Sequence, residues 1–336
     1  MTLHEFIGLV VERLSVHYPA QEAKAIAVRL LKESVEGYKG YEHLVEPGRE
    51  LESFSAGTED HLLKCAQRLA TGEPLQYVMG YEWFCGHRFN VAPGVLIPRP
   101  ETEELVREVV ACAAGMGSGA AGTGAGAALA VEGRTVGKEN KLRVLDICTG
   151  SGCIAWSVAA ELGDRGEVFG CDISTAALGI ARGQKVCGAG ADRTGGEDNG
   201  VDVKFFECDV LAPQAEEVIA AACGGQMAGS AGCGQFDIIV SNPPYVCECE
   251  RVLMQKNVLD FEPELALFVP DDDPLRFYRR IAELSGRLLK PGGKLLFEIN
   301  ERFGAETVQM MEEMGYVGCR VVQDIFGKER MTMAQR

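Results

Sequence analysis

The chain has 336 residues, enough for two domains of the usual size of about 150 residues each. Hydrophobic residues make up 46% of it, which supports a globular core, and no apolar run reaches the roughly 18 residues that a membrane span requires. The formal net charge of −16 disfavours a nucleic acid as the main substrate, because proteins that grip a phosphate backbone usually carry a basic surface.

The first 73 residues are predicted to form a small helical domain. Its opening segment has no basic region before an apolar core, so we expect no targeting peptide and a cytoplasmic protein. Thr2 followed by Glu5 is a capping-box pattern, and apolar residues then recur at helical spacing. Two more helices are predicted over 20–36 and 59–70, and each ends near a glycine.

Residues 74–100 are predicted to form a β-hairpin that links the helical domain to a second domain, 101–336. Aromatic and β-branched residues alternate there with glycines, as in a hairpin. A helix is predicted to follow, with Pro100 in its first turn, and to run through Val110. The second domain also contains three Gly- and Ala-rich stretches that cannot build a core and are predicted insertions, near residues 113–140, 187–200 and 223–234.

Between these insertions, strand patterns and helix patterns alternate. The predicted strands are 142–146, 167–172, 201–209, 236–241 and 294–299. The predicted helices between them are 152–162, 174–186, 213–222 and 274–289, and a final helix and two strands complete the chain. Regular alternation is typical of an α/β fold in which helices cover both faces of a parallel sheet.

The motif Asn242-Pro243-Pro244-Tyr245 directly follows the apolar run 236–241, which is predicted to be a buried strand. Ligands of open α/β sheets bind at the carboxyl ends of strands. The two prolines fix φ and remove two backbone donors, which leaves a stiff backbone with carbonyls able to accept. An amide side chain beside such carbonyls and an aromatic ring forms a holder for a planar NH2 group. The motif therefore indicates chemistry on an amide or amino nitrogen.

A glycine-containing turn follows the strand predicted at 142–146. In its sequence, Cys148-Thr149-Gly150-Ser151-Gly152, the glycines let a ligand approach the backbone closely. Asp172 ends the next strand, where its carboxylate could accept hydrogen bonds from both ribose hydroxyls. Asp209 ends the third strand, where an adenine edge could lie, with Val210 packing on its face.

Asp146, just before this turn, separates two classes of cofactor. A dinucleotide would place its pyrophosphate here, but the fingerprint G-x-G-x-x-G is incomplete because Ala155 stands at the third glycine. A carboxylate suits a cationic amino group better than a phosphate, which favours S-adenosylmethionine over NAD. Structural roles are the alternative, in which Asp146 caps the turn and Asp172 caps the helix that begins at Ser174.

The 13 cysteines are scattered through predicted strands and helices, and no C-x-x-C pair occurs. Cys247 and Cys249 form C-x-C without a second ligand pair nearby. This pattern favours reduced, mostly buried thiols in a cytoplasmic protein, and we predict no metal site.

Together these motifs resemble the HemK/PrmC family, the peptide chain release factor glutamine N5-methyltransferases. The resemblance spans about residues 72–330 and rests on the Asp146 turn and five further stretches: GEPLQY at 72–77, VLIPRPETE at 95–103, SNPPY at 241–245, FEP at 261–263 and FY at 277–278. The Asn-Pro-Pro-Tyr motif alone is shared with adenine N6-methyltransferases, but its combination with the stretch at 95–103 is specific.

The resemblance implies a class I S-adenosylmethionine-dependent methyltransferase fold, Rossmann-like, with a mostly parallel seven-stranded sheet and a small N-terminal helical domain that binds the substrate protein. The implied reaction methylates the side-chain amide nitrogen, N5, of the glutamine in the Gly-Gly-Gln motif of class 1 peptide chain release factors. The implied partner is therefore a release factor, and we expect a monomer with no membrane partner and no direct nucleic-acid binding.

The resemblance also implies the site residues. Those that would contact the cofactor are Cys148, Thr149, Gly150, Ser151, Gly152, Asp172 and Val210, to which we add Asp146, Asp209 and Asn242. Those that would bind the substrate glutamine are Asn242, Pro243, Pro244 and Tyr245. We predict Asn242, Pro243 and Tyr245 as catalytic: the Asn242 side-chain oxygen and the Pro243 carbonyl accept the two amide N–H bonds, and Tyr245 packs against the amide plane.

Two positions depart from the family, and two other functions stay open. Relatives usually carry glycine at Cys148 and an aromatic residue at Val210, so we expect a tighter backbone at the first and weaker adenine stacking at the second. The first alternative function is methylation of another protein glutamine, such as one in a ribosomal protein, or of adenine N6. The second is a catalytically inactive binding protein on the same fold.

Overall fold

The computed structural model describes residues 1–117, 141–186, 201–224 and 235–336. The predicted insertions at 113–140, 187–200 and 223–234 lie almost wholly outside these described residues. The described chain divides into two units. The first contains Met1–Glu82, Asn90–Ile97 and Glu250–Glu264, and the second contains Trp83–Phe89, Pro98–Cys249 and Leu265–Arg336.

The chain begins with helices, as predicted. They are α1 (Leu3–Leu14), α2 (Ala20–Ser34), α3 (Glu42–Val45), α4 (Thr58–Leu69) and α5 (Leu75–Met79), with a 3₁₀ turn at Leu51–Ser53. The capping box is confirmed: Thr2 Oγ1 accepts from the Glu5 N–H at 3.2 Å, and the Glu5 carboxylate accepts from the Thr2 N–H at 2.9 Å. The helices bury their apolar faces in one shared cluster, to which α1, α2 and α4 contribute Phe6, Leu30 and Leu62.

The predicted hairpin is shorter than 74–100. Residues 75–79 form α5, and the hairpin consists of β1 (Tyr81–Phe84) and β2 (His87–Asn90). Its two turn residues, Cys85 and Gly86, have φ of 49° and 75°, as the two-residue turn of a type I′ hairpin requires. The apolar run that suggested a longer strand is instead the buried side of a short helix.

Strands and helices then alternate through the rest of the described chain. They are α6 (Thr102–Gly117), β3 (Leu142–Ile147), α7 (Cys153–Leu162), β4 (Gly166–Asp172), α8 (Thr175–Arg182), β5 (Val203–Glu207), α9 (Ala215–Ala222), β6 (Phe236–Ser241), β7 (Val246–Cys247), α10 (Lys256–Phe261), β8 (Phe268–Val269), α11 (Arg276–Leu288), β9 (Leu289–Glu298), α12 (Gly304–Glu313), β10 (Val317–Gln323) and β11 (Glu329–Gln335).

Three boundaries differ clearly from the prediction, and one of them is the end of α8, at Arg182 rather than residue 186. Helix α6 runs to Gly117 rather than Val110, because the alanines and the methionine that follow Val110 favour helix and Ala113 is buried. Strand β9 begins at Leu289 rather than near Lys294. Its pairing with β6 is irregular between Phe236 and Ile238, which accommodates the Pro291-Gly292-Gly293 segment within the strand.

Seven strands form one sheet in the order β10-β11-β9-β6-β3-β4-β5. The five strands β9, β6, β3, β4 and β5 are parallel to one another, and β11 is antiparallel to β9 and to β10. The predicted mostly parallel, seven-stranded α/β sheet is therefore confirmed.

Both faces of this sheet are buried. Neighbouring residues of a strand point to opposite faces, and the residues on each face pack in a separate apolar cluster. In β3, Leu145 and Ile147 belong to one apolar cluster and Val144 to another. In β4, Phe169 and Val168 divide in the same way. The carboxyl ends of the strands are held rigidly as a result.

None of the helices that the structure describes has both the length and the apolar character needed to cross a bilayer.

Gly170, in the middle of β4, provides a test of this packing. A Cβ there would lie 2.6 Å from Phe205 Cε1 and 2.9 Å from Thr149 Oγ1. We predict that Gly170→Ala lowers the free energy of unfolding by about 1–3 kcal/mol through overpacking. Gly179→Ala in α8 is the matched control, since nothing lies within 4 Å of its added Cβ, and it should stabilise slightly. Denaturant unfolding of both variants measures this, and a neutral Gly170→Ala would contradict the packing described.

Candidate active site

The site begins where β3 and β6 end side by side. Ile147 of β3 is paired with Ser241 of β6, and the Ser241 hydroxyl donates to the Ile147 carbonyl at 2.6 Å. Strands β4 and β5 lie on one side of this pair and β9 on the other, so the strand order reverses here. Open α/β sheets bind ligands at such a reversal. The glycine turn and the Asn-Pro-Pro-Tyr motif therefore leave the sheet next to each other.

The turn after β3 has a left-handed backbone conformation at three of its residues. Cys148, Gly150 and Gly152 have φ of 60°, 54° and 79°. A Cβ on Gly150 would meet nothing within 4 Å, whereas one on Gly152 would lie 3.0 Å from Phe205 Cζ. Gly150 thus leaves an open approach to the backbone, and Gly152 packs tightly beneath it. For Cys148 the left-handed conformation costs roughly 1–2 kcal/mol, which explains why glycine suits this position.

Asp146 is fully buried at the end of β3. Its Oδ2 accepts hydrogen bonds from the Thr149 hydroxyl at 2.5 Å and from the Ala155 N–H at 3.2 Å. Its Oδ1 is buried and has no hydrogen-bond partner among the described residues. Burial raises the pKa of this carboxyl to about 7. Asp146 does cap the turn, as the structural alternative held, but only with one oxygen, and the other is suited to an ammonium group.

Asp172, at the end of β4, organises the same turn. Its Oδ2 accepts from the Gly150 N–H at 2.8 Å and its Oδ1 from the Ser174 N–H at 2.9 Å. The N-cap of α8 is Ser174, whose own hydroxyl accepts from the Ala177 N–H. Burial raises the pKa of the Asp172 carboxyl. Each oxygen keeps a further lone pair, so the structural role and the predicted ribose contact are compatible.

Asp209 and Val210 follow β5 and differ in exposure. Asp209 is exposed, and its Oδ1 accepts from the Leu211 N–H at 2.9 Å. The Val210 side chain is only 5% exposed and packs in the apolar cluster beneath the sheet, while its carbonyl accepts from Arg280 Nε at 3.0 Å. Both remain predicted adenine contacts, and Val210 has little surface with which to stack.

The Asn-Pro-Pro-Tyr motif forms a short bridge from β6 to β7. Pro243 and Pro244 are buried, and no described residue donates a hydrogen bond to the Pro243 carbonyl. The Tyr245 N–H donates to the Leu267 carbonyl at 3.2 Å, and the Tyr245 carbonyl accepts from Asn300 Nδ2 at 3.1 Å. The backbone on both sides of the prolines is therefore anchored. The Pro243 carbonyl is left as an acceptor for a ligand.

Two residues that the sequence analysis did not assign complete the site. Glu298, the last residue of β9, is buried, and its two oxygens accept from the Thr102 hydroxyl at 2.7 Å and the Tyr245 hydroxyl at 3.1 Å. Asn242 Nδ2 in turn donates to Thr102 Oγ1 at 3.4 Å. Burial raises the pKa of Glu298, and burial together with the nearby Glu298 raises the pKa of Tyr245.

A signal for both residues was present in the sequence. Thr102 lies within the stretch 95–103 that carries the family resemblance, and Glu298 ends a strand predicted beside the motif strand.

Other stretches that carry the resemblance form hydrogen bonds within the first unit. The Tyr77 hydroxyl donates to the Val95 carbonyl at 2.5 Å, and the Glu262 carboxylate accepts from the Ile97 N–H at 3.0 Å.

The residues present fit S-adenosylmethionine. The unpartnered buried Oδ1 of Asp146 suits its ammonium group, and the open backbone at Gly150 permits close approach. The end of β4 adds acceptor capacity at Asp172 for ribose hydroxyls. Within the described part of the chain, no group of three or more His, Cys, Asp or Glu side chains is placed to hold a metal ion.

Comparison with known proteins gives the family. A family model described as "Methyltransferase domain" matches residues 138–334. The release factor glutamine methyltransferase of Bacteroides thetaiotaomicron is 42% identical over 322 residues, which cover 95% of each chain. The proteins of the same name from Flavobacterium psychrophilum and Neisseria gonorrhoeae are 38% and 32% identical, over 79% and 100% of this chain and 76% and 98% of their own.

Among solved structures, a release factor-specific protein-(glutamine-N5) methyltransferase from Alicyclobacillus acidocaldarius is 23% identical, covers 74% of this chain and 99% of its own, and superposes with a TM-score of 0.36. The matched domain and the curated relatives identify the protein as an enzyme, an S-adenosylmethionine-dependent methyltransferase of the predicted class I fold. The chain belongs to the release factor glutamine methyltransferase family.

Proposed function

We propose that this protein transfers a methyl group from S-adenosylmethionine to the side-chain amide nitrogen, N5, of the glutamine in the Gly-Gly-Gln motif of class 1 release factors. The observation that carries the proposal is the pair of acceptors at the end of β6. Asn242 has a side-chain oxygen, and Pro243 a carbonyl, to which no described residue donates a hydrogen bond. The names of the curated relatives supply the release factor as the substrate protein.

A primary carboxamide is a poor nucleophile because its nitrogen lone pair is delocalised. Two acceptors, the Asn242 oxygen and the Pro243 carbonyl, match its two N–H bonds and hold the nitrogen in one position. Rigid backbone on both sides of the prolines preserves that position, and orientation of this kind can lower a barrier by several kcal/mol, about 7–11 in the best cases. Tyr245 packs along the amide plane while Glu298 holds its hydroxyl.

When bound, the cofactor would supply an electrophilic methyl group on a sulfonium. The N–C bond would form as the S–C bond breaks, and the nitrogen would then release one proton. Glu298 is the carboxylate hydrogen-bonded to the motif, and both of its oxygens already accept from hydroxyls. We therefore assign it no proton transfer, and the proton leaves to water.

The remaining assignments are also proposals. Asp146 binds the ammonium group, Asp172 binds the ribose, and Asp209 and Val210 lie at the adenine. The Cys148–Gly152 turn, with Thr149, Gly150 and Ser151, provides backbone contacts, and Asn242 reaches both cofactor and substrate. We propose that the helical domain 1–73 docks the release factor, that 74–100 links it to the domain 101–336, and that the enzyme acts in the cytoplasm as a monomer, without nucleic-acid or membrane partners.

The substrate assignment predicts a specific product. Incubation with isotopically labelled S-adenosylmethionine and a purified class 1 release factor should place one methyl group on the glutamine of Gly-Gly-Gln, which mass spectrometry of the digested release factor locates. A release factor with that glutamine replaced by alanine is the control and should stay unlabelled. Label on a different glutamine, or no label on the intact release factor, would contradict the assignment.

Two substitutions separate the substrate and cofactor sites. Asn242→Ala removes one acceptor for the amide, so we expect turnover to fall by about 100-fold or more. Cofactor affinity should be largely kept, because the Asn242 contact is only one of those proposed for the cofactor and the Cys148–Gly152 turn, Asp146 and Asp172 remain. Asp172→Ala should instead weaken cofactor binding, as calorimetry can measure. Near-normal turnover by Asn242→Ala, or an unchanged cofactor dissociation constant for Asp172→Ala, would refute the respective role.

Cofactor binding should also depend on pH through Asp146. Its pKa is raised to about 7, and the ammonium group binds the ionised carboxylate, so the protein must lose a proton before binding at lower pH. We predict that affinity for S-adenosylmethionine falls as pH decreases below about 7, approaching tenfold per pH unit. Calorimetry across this range measures the slope. Asp146→Asn should bind weakly with no such slope, and a flat profile for the unaltered protein would rule out the Asp146 contact.

A further inference from the structure

The orientation of the Asn242 carboxamide follows from the hydrogen atoms available around it. A threonine hydroxyl has one hydrogen to donate and lone pairs to accept with. Thr102 lies 2.7 Å from Glu298 Oε2 and 3.4 Å from Asn242 Nδ2. The Thr102 hydroxyl donates its single hydrogen to Glu298 Oε2, which is the shorter of the two contacts. Thr102 can then only accept from Asn242, which means that the NH2 group of Asn242 faces Thr102.

Glu298 is suited to maintaining this arrangement. It receives hydroxyl donors from two sides, Thr102 on Oε2 and Tyr245 on Oε1, and two donors favour the ionised carboxylate. Its backbone is fixed by pairing with Met331 of the neighbouring strand. Thr102 is anchored as well, because its N–H donates to the Arg99 carbonyl at 3.1 Å and its side chain is buried. Both partners of the bond are therefore held in place.

We propose that Thr102 and Glu298 are positioning residues that lock the Asn242 carboxamide with its oxygen toward the substrate, an inference that rests on the proposed amide methylation. The hydrogen-bond sequence runs from Asn242 Nδ2 to Thr102 Oγ1, and from the Thr102 hydroxyl to Glu298. No described residue donates to Asn242 Oδ1, so that oxygen is presented to the ligand.

This orientation determines which group the site accepts. The two exposed acceptors, Asn242 Oδ1 and the Pro243 carbonyl, suit a group that donates two N–H bonds. If the Asn242 carboxamide turned over, its NH2 group would face the NH2 group of the substrate, two donors would oppose each other, and the nitrogen would lose its fixed position. A carboxamide can be reversed with almost no change of shape, so an enzyme that uses an asparagine oxygen needs a separate device to select the orientation.

Thr102→Val tests the proposal, because valine keeps the shape and removes the acceptor. We expect kcat for methylation of a purified class 1 release factor to fall roughly tenfold or more, with the cofactor dissociation constant within about twofold of normal. Thr102→Ser should recover most of the lost rate. In the Asn242→Ala background, Thr102→Val should cost almost nothing further, because Thr102 acts through Asn242.

Thr332→Val is the matched control. Thr332 is buried in β11, paired with the residue before Glu298, and its hydroxyl has no hydrogen-bond partner among the described residues. It should leave kcat unchanged. If thermal unfolding shows that Thr102→Val does not fold, Thr102→Ala supplies the same readout, since it also removes the acceptor for Asn242 Nδ2 and should lower kcat only when Asn242 is present.

The outcomes distinguish the positioning role of Thr102 and Glu298 from the proposed methylation of release factors. Normal kcat in Thr102→Val or Thr102→Ala, or losses that add fully to that of Asn242→Ala, would overturn the positioning role and leave the proposed function standing. Failure of the unaltered protein to methylate the release factor would overturn the proposed function, and the positioning role with it.

Discussion

The hydrogen bond from the Ser241 hydroxyl to the Ile147 carbonyl joins the carboxyl ends of β3 and β6, and the rest of the site is placed relative to it. Parallel pairing fixes which residues leave the sheet together, and burial of both sheet faces prevents the ends from shifting. The turn that approaches the cofactor and the motif that approaches the substrate are therefore adjacent because of strand register. Neither turn needs to contact the other to be correctly spaced.

Two buried carboxylates serve different purposes in this arrangement. Asp146 and Glu298 are both buried, and neither forms an ion pair with a described residue, although burying a charge is costly unless it is compensated. Both oxygens of Glu298 accept hydrogen bonds from hydroxyls, so Glu298 holds neighbouring side chains in place and does not bind a ligand. Asp146 keeps one oxygen unsatisfied, which marks it as a ligand site. The raised pKa of each carboxyl reflects burial, but only that of Asp146 is expected to respond to the cofactor.

The sequence predicted the order of elements well because hydrophobic periodicity and strand–helix alternation are local signals. The strand 236–241 and the capping box at Thr2 were found at their observed positions. Residues 75–79 were assigned to a hairpin since a five-residue helix gives too few turns to show its period. The two-residue strands β7 and β8 could not be predicted, because they exist only by pairing with each other.

The site residues that lie at strand ends were predictable from the sequence, but the hydrogen bonds between distant residues were not. Asp146, Asp172 and Asn242 could be identified because each lies directly at the end of a predicted strand. The partnership of Thr102 with Glu298 joins residues 196 positions apart, and no local pattern reports such a bond. The orientation of Asn242 depends on that bond, so it emerged only with the folded chain. The left-handed backbone at Cys148 was likewise suggested only by the glycine usual in relatives.

The central claim is that a glutamine carboxamide is held by two outward-facing oxygens beside the sulfonium donor. A crystal structure with S-adenosylhomocysteine and a Gly-Gly-Gln peptide tests it most directly. We predict the glutamine side-chain nitrogen within hydrogen-bonding distance of Asn242 Oδ1 and the Pro243 carbonyl, with Asn242 Nδ2 still on Thr102. A glutamine bound away from the end of β6, or an Asn242 that donates to it through Nδ2, would contradict the account.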